Sequence, residues 1–309
     1  MMTILKPAVQ TTVQDLGRRG FRHLGVGGSG AMDRLSLLIG NYLVGNSADA
    51  AALELCMPPA RIRLDAACAI ALTGADCLAR LDDTPVGVGR RVVVEAGQTL
   101  ELFAAHSGIR AYLCVSGGID VPAVLGSRST DLQAGMGGLD GRLIRRGDVL
   151  RIAPSTPPER TAAAVLLPQM GSSIRVLPGP EFDGFAPESR EALVTAVWKV
   201  TTQSNRMGYR LEGPALLRQD AGELKSHAVF PGLIQVPPNG APIVLMADAQ
   251  ATGGYPRIAC VIAADQWRLA QIPPGAPMHF ELATRAGALL AWQKQRAYLQ
   301  LMQRGLHAH

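Results

Sequence analysis

Lysine is scarce in this 309-residue chain: Lys6, Lys199, Lys225 and Lys294 are the only four. The net charge of +5 and the pI near 9.1 therefore rest almost wholly on arginine. Those arginines are dispersed, with "RLIRRGD" at 142–148 the densest patch, and neither a basic helix nor a basic strand interleaved with aromatics accompanies them. Nucleic-acid recognition is set aside on that ground, and the charge reads as solvated surface. Cysteine is also sparse. Cys56, Cys68, Cys77, Cys114 and Cys260 are odd in number, widely spaced and form no C-x-x-C pair, which argues against a disulfide framework or zinc site and for small buried hydrophobes in a reducing compartment. The six histidines make no H-x-x-x-H pattern, so no protein-held metal is expected. No window approaches the roughly 18 uninterrupted apolar residues of a membrane span, and "MMTILKPAVQTTVQDLG" lacks a signal-peptide core; a cytoplasmic protein is expected. A G-x-S-x-G elbow is missing, since Ser29 follows Gly27 by two but precedes Ala31, and so is a G-x-x-x-x-G-K-[ST] loop. The usual serine-hydrolase and P-loop readings lose their warrant.

Glycine, by contrast, is plentiful, with 34 copies. In "GVGGSGAMDRLSLLIGNYLVGN", from Gly25 to Asn46, Gly25, Gly27 and Gly30 fit G-x-G-x-x-G. Met32, Leu35, Leu38, Ile39, Tyr42 and Leu43 recur at helical spacing behind them, and Ser29 is placed to cap the helix. The preceding "QDLGRRGFRHL" is a charged, glycine-broken loop rather than the buried strand a dinucleotide fingerprint requires. The turn around Ser29, Gly30 and Asp33 instead offers free backbone N–H groups to a carboxylate or phosphate.

With 48% hydrophobic and 18% charged residues, the composition is globular and leaves apolar surface for contacts between subunits. From Arg61 to Ile152 short runs, "RIRLD", "AIALTG", "RVVVEAGQTLELF", "IRAYLCVSGG" and "DVLRI", alternate with turn residues and read as strands. Residues 153–173, rich in Pro, Ala, Ser and Thr, read as a linker or loose excursion between an N-terminal lobe, 1–152, and a C-terminal lobe, 174–309. The second lobe shows a helix near Arg190 to Val200, strands at "RMGYRLEGP", "GLIQVPP", "APIVLMAD", "RIACVIAAD" and "PMHFELAT", and a closing helix over 284–303. The expected class is mainly β with a few helices, of barrel-like architecture.

Three polar clusters are candidates for chemistry. "GSRSTD" at 126–131 offers Arg128 for bidentate anion capture and Ser127, Ser129 and Thr130 as hydroxyl donors, or is simply a turn with an aspartate cap. "SNRMGYRLEGP" at 204–214 would place Arg206 and Arg210 on one strand face and Tyr209 on the other, the arginines being surface groups or a clamp. In "GLIQVPPNGAPIVLMADAQATGGYP", from Gly232 to Pro256, "PPNG" marks a hairpin turn. Its second strand would carry Asp248 and Gln250 to one side, before Gly253, Gly254 and Tyr255. A carboxylate and an amide there could read a urea or lactam, or merely end a strand.

At these residues the chain resembles, over nearly its whole length, the family of the 5-oxoprolinase C subunit, also called the KipA or allophanate hydrolase subunit 2 family. That family is related to part of the carboxyltransferase region of urea carboxylase. The matching blocks are "TTVQDLGRRGFRHLGVGGSGAMD", "NYLVGN", "AALE", "LTGAD", "GIRAYLCVSGGIDVPAVLGSRSTD", "RMGYRLEGP", "IQVPPNGAPIVLMAD" and "TGGYP". The resemblance implies a cyclophilin-like β-barrel architecture in two subdomains. It also implies two partners, a KipI-like B subunit and a third protein, the A subunit, with ATP and magnesium used at the level of the complex. The implied activity is the opening of 5-oxo-L-proline to L-glutamate. Catalytic roles would fall to Asp248, Arg206 and Gln250. Substrate-binding roles would fall to Ser29, Gly30, Asp33, Arg128, Ser129, Thr130, Tyr209, Gln235, Gly253, Gly254 and Tyr255. Biotin-dependent carboxyl transfer to urea or an amide, and a non-catalytic KipA-like regulatory module, are the alternatives; the chain has no "AMKM"-like lysine motif, so biotin would sit on a partner. Departures from the family's usual pattern fall at Asn205, at Ser226, His227 and Ala228, and at Ala249 and Ala251.

Overall fold

The computed structural model describes residues 1–155, 163–219, 222 and 224–307. Two compact units divide the chain. The first comprises residues 1–19, 29–169 and 298–309, the second 20–28 and 170–297. The expected break at 153–173 thus misses two exchanges: the stretch 20–28 goes with the second unit and the chain from 298 with the first. Within the expected linker, residues 156–162 lie outside the described residues, and Ala163–Ala164 is not loose but pairs with Arg90–Arg91.

In the first unit the chain runs through β1 (Met2–Lys6), β2 (Gln10–Gln14), α1 (Arg34–Leu43), β3 (Ala52–Cys56), β4 (Ala60–Leu64) and β5 (Cys68–Asp76). It continues through β6 (Arg80–Leu81), β7 (Thr84–Pro85), β8 (Arg90–Val94), β9 (Thr99–Leu102), β10 (Ser107–Val115), β11 (Val149–Leu150) and β12 (Ala163–Ala164). Two six-stranded sheets result, in the orders β11-β1-β4-β9-β6-β7 and β12-β8-β5-β10-β3-β2. The pleat explains which residues face inward: in β4 Ala60, Ile62 and Leu64 are buried while Arg61 and Arg63 point out. Ile62 and Leu64 join Met2, Ile4, Leu53, Ile70 and Leu113 in one core, each such side chain contributing about 1.5–3 kcal/mol on burial. β5 lies between β8 and β10, and its "CAIALTGAD" is almost continuously buried, as a central strand covered by α1 requires. The single run "RVVVEAGQTLELF" divides into β8 and β9, because Gln98 N donates to Glu95 O and Gly97 takes φ +92° in the turn.

The second unit holds β13 (Ser173–Pro178), α2 (Pro187–Thr195), β14 (Trp198–Val200), β15 (Gly208–Glu212), β16 (His227–Ala228) and β17 (Leu233–Gln235). After these come β18 (Ile243–Leu245), β19 (Thr252–Gly253), β20 (Arg257–Val261), α3 (Gln266–Ala270), β21 (Pro277–Leu282) and α4 (Arg285–His307), whose residues from Tyr298 belong to the first unit. Seven strands close a barrel in the order β13-β20-β17-β18-β15-β14-β21. The closing pair, β13 with β21, is the barrel's parallel one, and Trp198 and Phe280 meet inside with ring centroids 6.3 Å apart. The helix expected near 190–200 is α2, earlier because Pro187 is tolerated in a first helical turn; Trp198 already belongs to β14. Hairpin β17–β18 turns at "PPNG", where Gly240 N donates to Pro237 O.

Candidate functional site

Within the first unit the expected anion turn spends its donors internally. Ala31 N donates to Asp15 O at 2.9 Å, Met32 N to Glu54 Oε2 at 2.9 Å and Asp33 N to Tyr112 OH at 2.8 Å. Tyr112 OH in turn donates to Glu54 Oε2 at 2.6 Å, and burial pushes the phenol well above its ordinary range. The helix cap is Asp33, not Ser29: its carboxylate accepts from Ser36 N at 2.8 Å and Ser36 Oγ at 2.6 Å. Ser29 instead takes a left-handed φ of +51°, with its Oγ buried and unpaired. Gly30, at φ +93°, lies so close to Gly17 that an added Cβ would stand 2.9 Å from Gly17 N.

The "GSRSTD" loop is organised by Asp15, a residue that motif reading passed over. Asp15 Oδ1 accepts from Ser127 Oγ at 2.6 Å and Ser129 Oγ at 2.5 Å, and Oδ2 accepts from Arg128 N at 2.5 Å. Thr130 Oγ1 donates to Val13 O at 3.1 Å. Ser129 and Thr130 are therefore buried struts, and their hydroxyls do not face a ligand. Arg128 is the exposed member; its Nε donates to Val121 O at 3.0 Å, which leaves both terminal nitrogens unspent.

Within the second unit, Arg206 and Asp248 form a buried two-point pair: Nε to Oδ2 at 2.9 Å and Nη2 to Oδ1 at 3.0 Å, with side chains 5% and 4% exposed. The expected strand geometry fails at both ends. Arg206 precedes β15 and turns inward while Arg210 is exposed, because Asn205 Oδ1 accepts from Met207 N at 2.8 Å and makes a tight turn there. The departure at Asn205 thus keeps a turn acceptor. β18 ends at Leu245, so Asp248 and Gln250 do not share a strand face: Asp248 is buried in a turn and Gln250 is exposed. Tyr209 is a core residue whose hydroxyl donates to Ala270 O. Ala249 is fully buried in an apolar cluster with Val229, Leu233 and Leu245.

Around that turn lies a second, more polar cluster of the same unit. Arg22, missed in the sequence, stitches two loops together: its Nη2 donates to Val229 O at 2.6 Å and Gln250 O at 2.7 Å. β16 and β19 pair His227 with Gly253 and Ala228 with Thr252. A Cβ on Gly253 would stand 3.0 Å from Gln235 Nε2, so the glycine makes room for the Gln235 amide, which donates to Tyr255 O at 3.2 Å. Gly254 similarly lets the backbone run past Leu224 O, and Tyr255 is exposed. Glu181 accepts from Arg257 at Nη2, 2.6 Å, Nε, 2.8 Å, and the backbone N, 2.9 Å. Those bonds hold the Glu181 carboxyl below the usual carboxylate range, with a smaller push from the nearby His227. Amides, a histidine and backbone groups are thus arrayed beside carboxylates already neutralised by arginine. Such an array can meet the donors and acceptors of a polar ligand through hydrogen bonds. A groove of about 490 Å³ on this unit, lined by Pro178, Phe230, Arg257, Cys260 and Arg285 among others, includes neither Asp248 nor Gln250. Among the described residues no group of three His, Cys, Asp or Glu could hold a metal ion.

Residues 24–282 match the family description "carboxyltransferase domain, subdomain A and B". The chain is 49% identical over 307 residues to the C subunit of 5-oxoprolinase from Escherichia coli (strain K12), covering 99% of each. It is 40% identical to that of Haemophilus influenzae, covering 98% of each. Among solved structures, the Kluyveromyces lactis urea carboxylase superposes with a TM-score of 0.91 at 30% identity, over 99% of this chain and 29% of the other.

Proposed function

Because the chain belongs to the family of carboxyltransferase domains with subdomains A and B, we propose that it is the C subunit of an ATP-dependent 5-oxoprolinase complex, which opens 5-oxo-L-proline to L-glutamate. The observation that carries this reading is the end-to-end match: 49% identity covering 99% of both this chain and its Escherichia coli counterpart. The partners are a KipI-like B subunit and a third protein, the A subunit. ATP, with magnesium, is a co-substrate of the assembled complex. The turn at 29–33 does not fit a phosphate cradle, since the N–H groups of Ala31, Met32 and Asp33 are already given away.

A lactam is a stable amide, neutral at the ring, with one N–H donor and one carbonyl acceptor. The second unit's cluster suits it. The amides of Gln235 and Gln250 orient the ring, and Arg206 with Asp248 holds the turn that carries Gln250, so this pair positions rather than touches the substrate. The five cysteines are all free thiols, which fits a reducing, cytoplasmic location, and no described helix is long and apolar enough to cross a membrane.

The fold likeness to urea carboxylase favours a second reading, the acceptor half of a biotin-dependent carboxyltransferase. Affinity purification from the native host separates the two. A small KipI-like protein with a third, non-biotinylated protein, together forming glutamate from 5-oxoproline and ATP, is the expected result. A biotinylated partner and no glutamate would overturn the proposal in favour of carboxyl transfer.

A further inference from the structure

His227 is the polar group in this cluster that the proposed reaction has not yet used. Its Nδ1 lies 3.1 Å from the carbonyl oxygen of Lys225. A carbonyl can only accept, so in the neutral ring Nδ1 carries the proton and Nε2 carries the lone pair. That Nε2 is screened from solvent and has no hydrogen-bond partner. An acceptor left so is destabilising unless something donates to it.

The surroundings narrow what that donor is. Glu181 is committed to Arg257 through both carboxylate oxygens, and Asp248 to Arg206 through both of its own. Neither arginine donates to the histidine, and the Lys225 side chain is exposed. Gln235 spends its amide nitrogen on Tyr255 O, which leaves its oxygen as a further acceptor in the same cluster. The set presents acceptors for a neutral N–H beside carboxylates already paired with arginine. The segment carrying His227 is held in place by the pairs His227 with Gly253 and Ala228 with Thr252, by Val229 N on Ala251 O, and by Arg22, so the ring stands on a fixed backbone.

We propose that Nε2 of His227 accepts the ring N–H of a cyclic amide, making this histidine the specificity residue for lactam over lactone. The inference rests on the 5-oxoprolinase reading and deepens it. The test is calorimetric titration of the purified complex, without nucleotide, using 5-oxo-L-proline and the isosteric lactone in which a ring oxygen replaces the N–H. The wild type should prefer the lactam by about tenfold or more. His227→Asn keeps a donor for the Lys225 carbonyl but removes Nε2, and should bring the two ligands within about twofold. His227→Gln, whose amide oxygen reaches the place of Nε2, should restore part of the preference and also decides the matter if the asparagine variant fails to assemble.

Nitrogen-15 spectra of the histidine ring supply a readout independent of activity: Nδ1 protonated, with the Nε2 resonance moving on addition of lactam but not of lactone. A tenfold preference that survives both substitutions, equal weakening of both ligands, or a ring protonated at Nε2 would overturn the proposal. Glutamate formation by the wild-type complex with no change in lactam preference on His227→Asn sinks this inference alone. A wild-type complex that forms no glutamate and binds no 5-oxoproline sinks the functional reading together with it.

Discussion

Asp248 illustrates how a residue picked out for chemistry turns out to be spoken for. Its carboxylate and the Arg206 guanidinium are both buried and meet at two points, so removing one strands the other's charge away from water. Asp248→Ala should therefore lower stability by about 3–5 kcal/mol, read from the urea midpoint, and lower glutamate formation through loss of the 246–250 turn. The exposed Gln250→Ala should leave stability within about 0.5 kcal/mol and change the KM for 5-oxoproline instead. Glu181 gives a pH signature. Its folded-state carboxyl is held below the usual range by Arg257, so the stability it contributes is fully present above the unfolded value of about 4.3 and is lost as pH falls through the lower folded value. Arg257→Gln should flatten the acid limb of the unfolding curve in that window, measured by circular dichroism between about pH 5 and pH 2.

At the scale of elements, α1 depends on Asp33. Asp33→Ala removes two hydrogen bonds at the helix start and should cost about 0.5–2 kcal/mol, while Ser29→Ala, at the position that spacing favours for the cap, should cost less; paired thermal melts decide between them. Strands with clean alternation, such as "RIRLD" and "PMHFEL", were legible because one face is buried and the other wet. The helix over Met32 to Leu43 was legible from its apolar spacing. Arg206 was misplaced on a strand because nothing local announces that Asn205 closes a turn. Arg22 was invisible as a stitch, since its acceptor Gln250 stands 228 positions away, and sequence spacing carries no information at that range. Asp15 was passed over because its hydroxyl partners are more than a hundred residues off. The motifs located the site's loops, and long-range pairing decided which of their residues remain available to a ligand.

At the scale of the whole molecule, neither unit is a single stretch of chain, for residues 20–28 belong with the second and residues from 298 with the first. The first unit's share of α4 is anchored there: Tyr298 OH donates to Leu166 O at 2.8 Å, and Met302 is buried. Truncation after Ala297 should therefore destabilise the first unit, seen as earlier proteolysis of residues 29–155, with the barrel's own melting transition less affected. Equal loss in both transitions would contradict this. The same interleaving has a consequence during synthesis. A ribosome delivers residues 29–155 long before the helical turns that complete their unit, so the nascent first unit waits, unfinished, through translation of the entire barrel. For that interval its unburied apolar surface is a natural client for chaperones, and the order of manufacture, rather than final stability, sets the moment at which the chain is most exposed to aggregation.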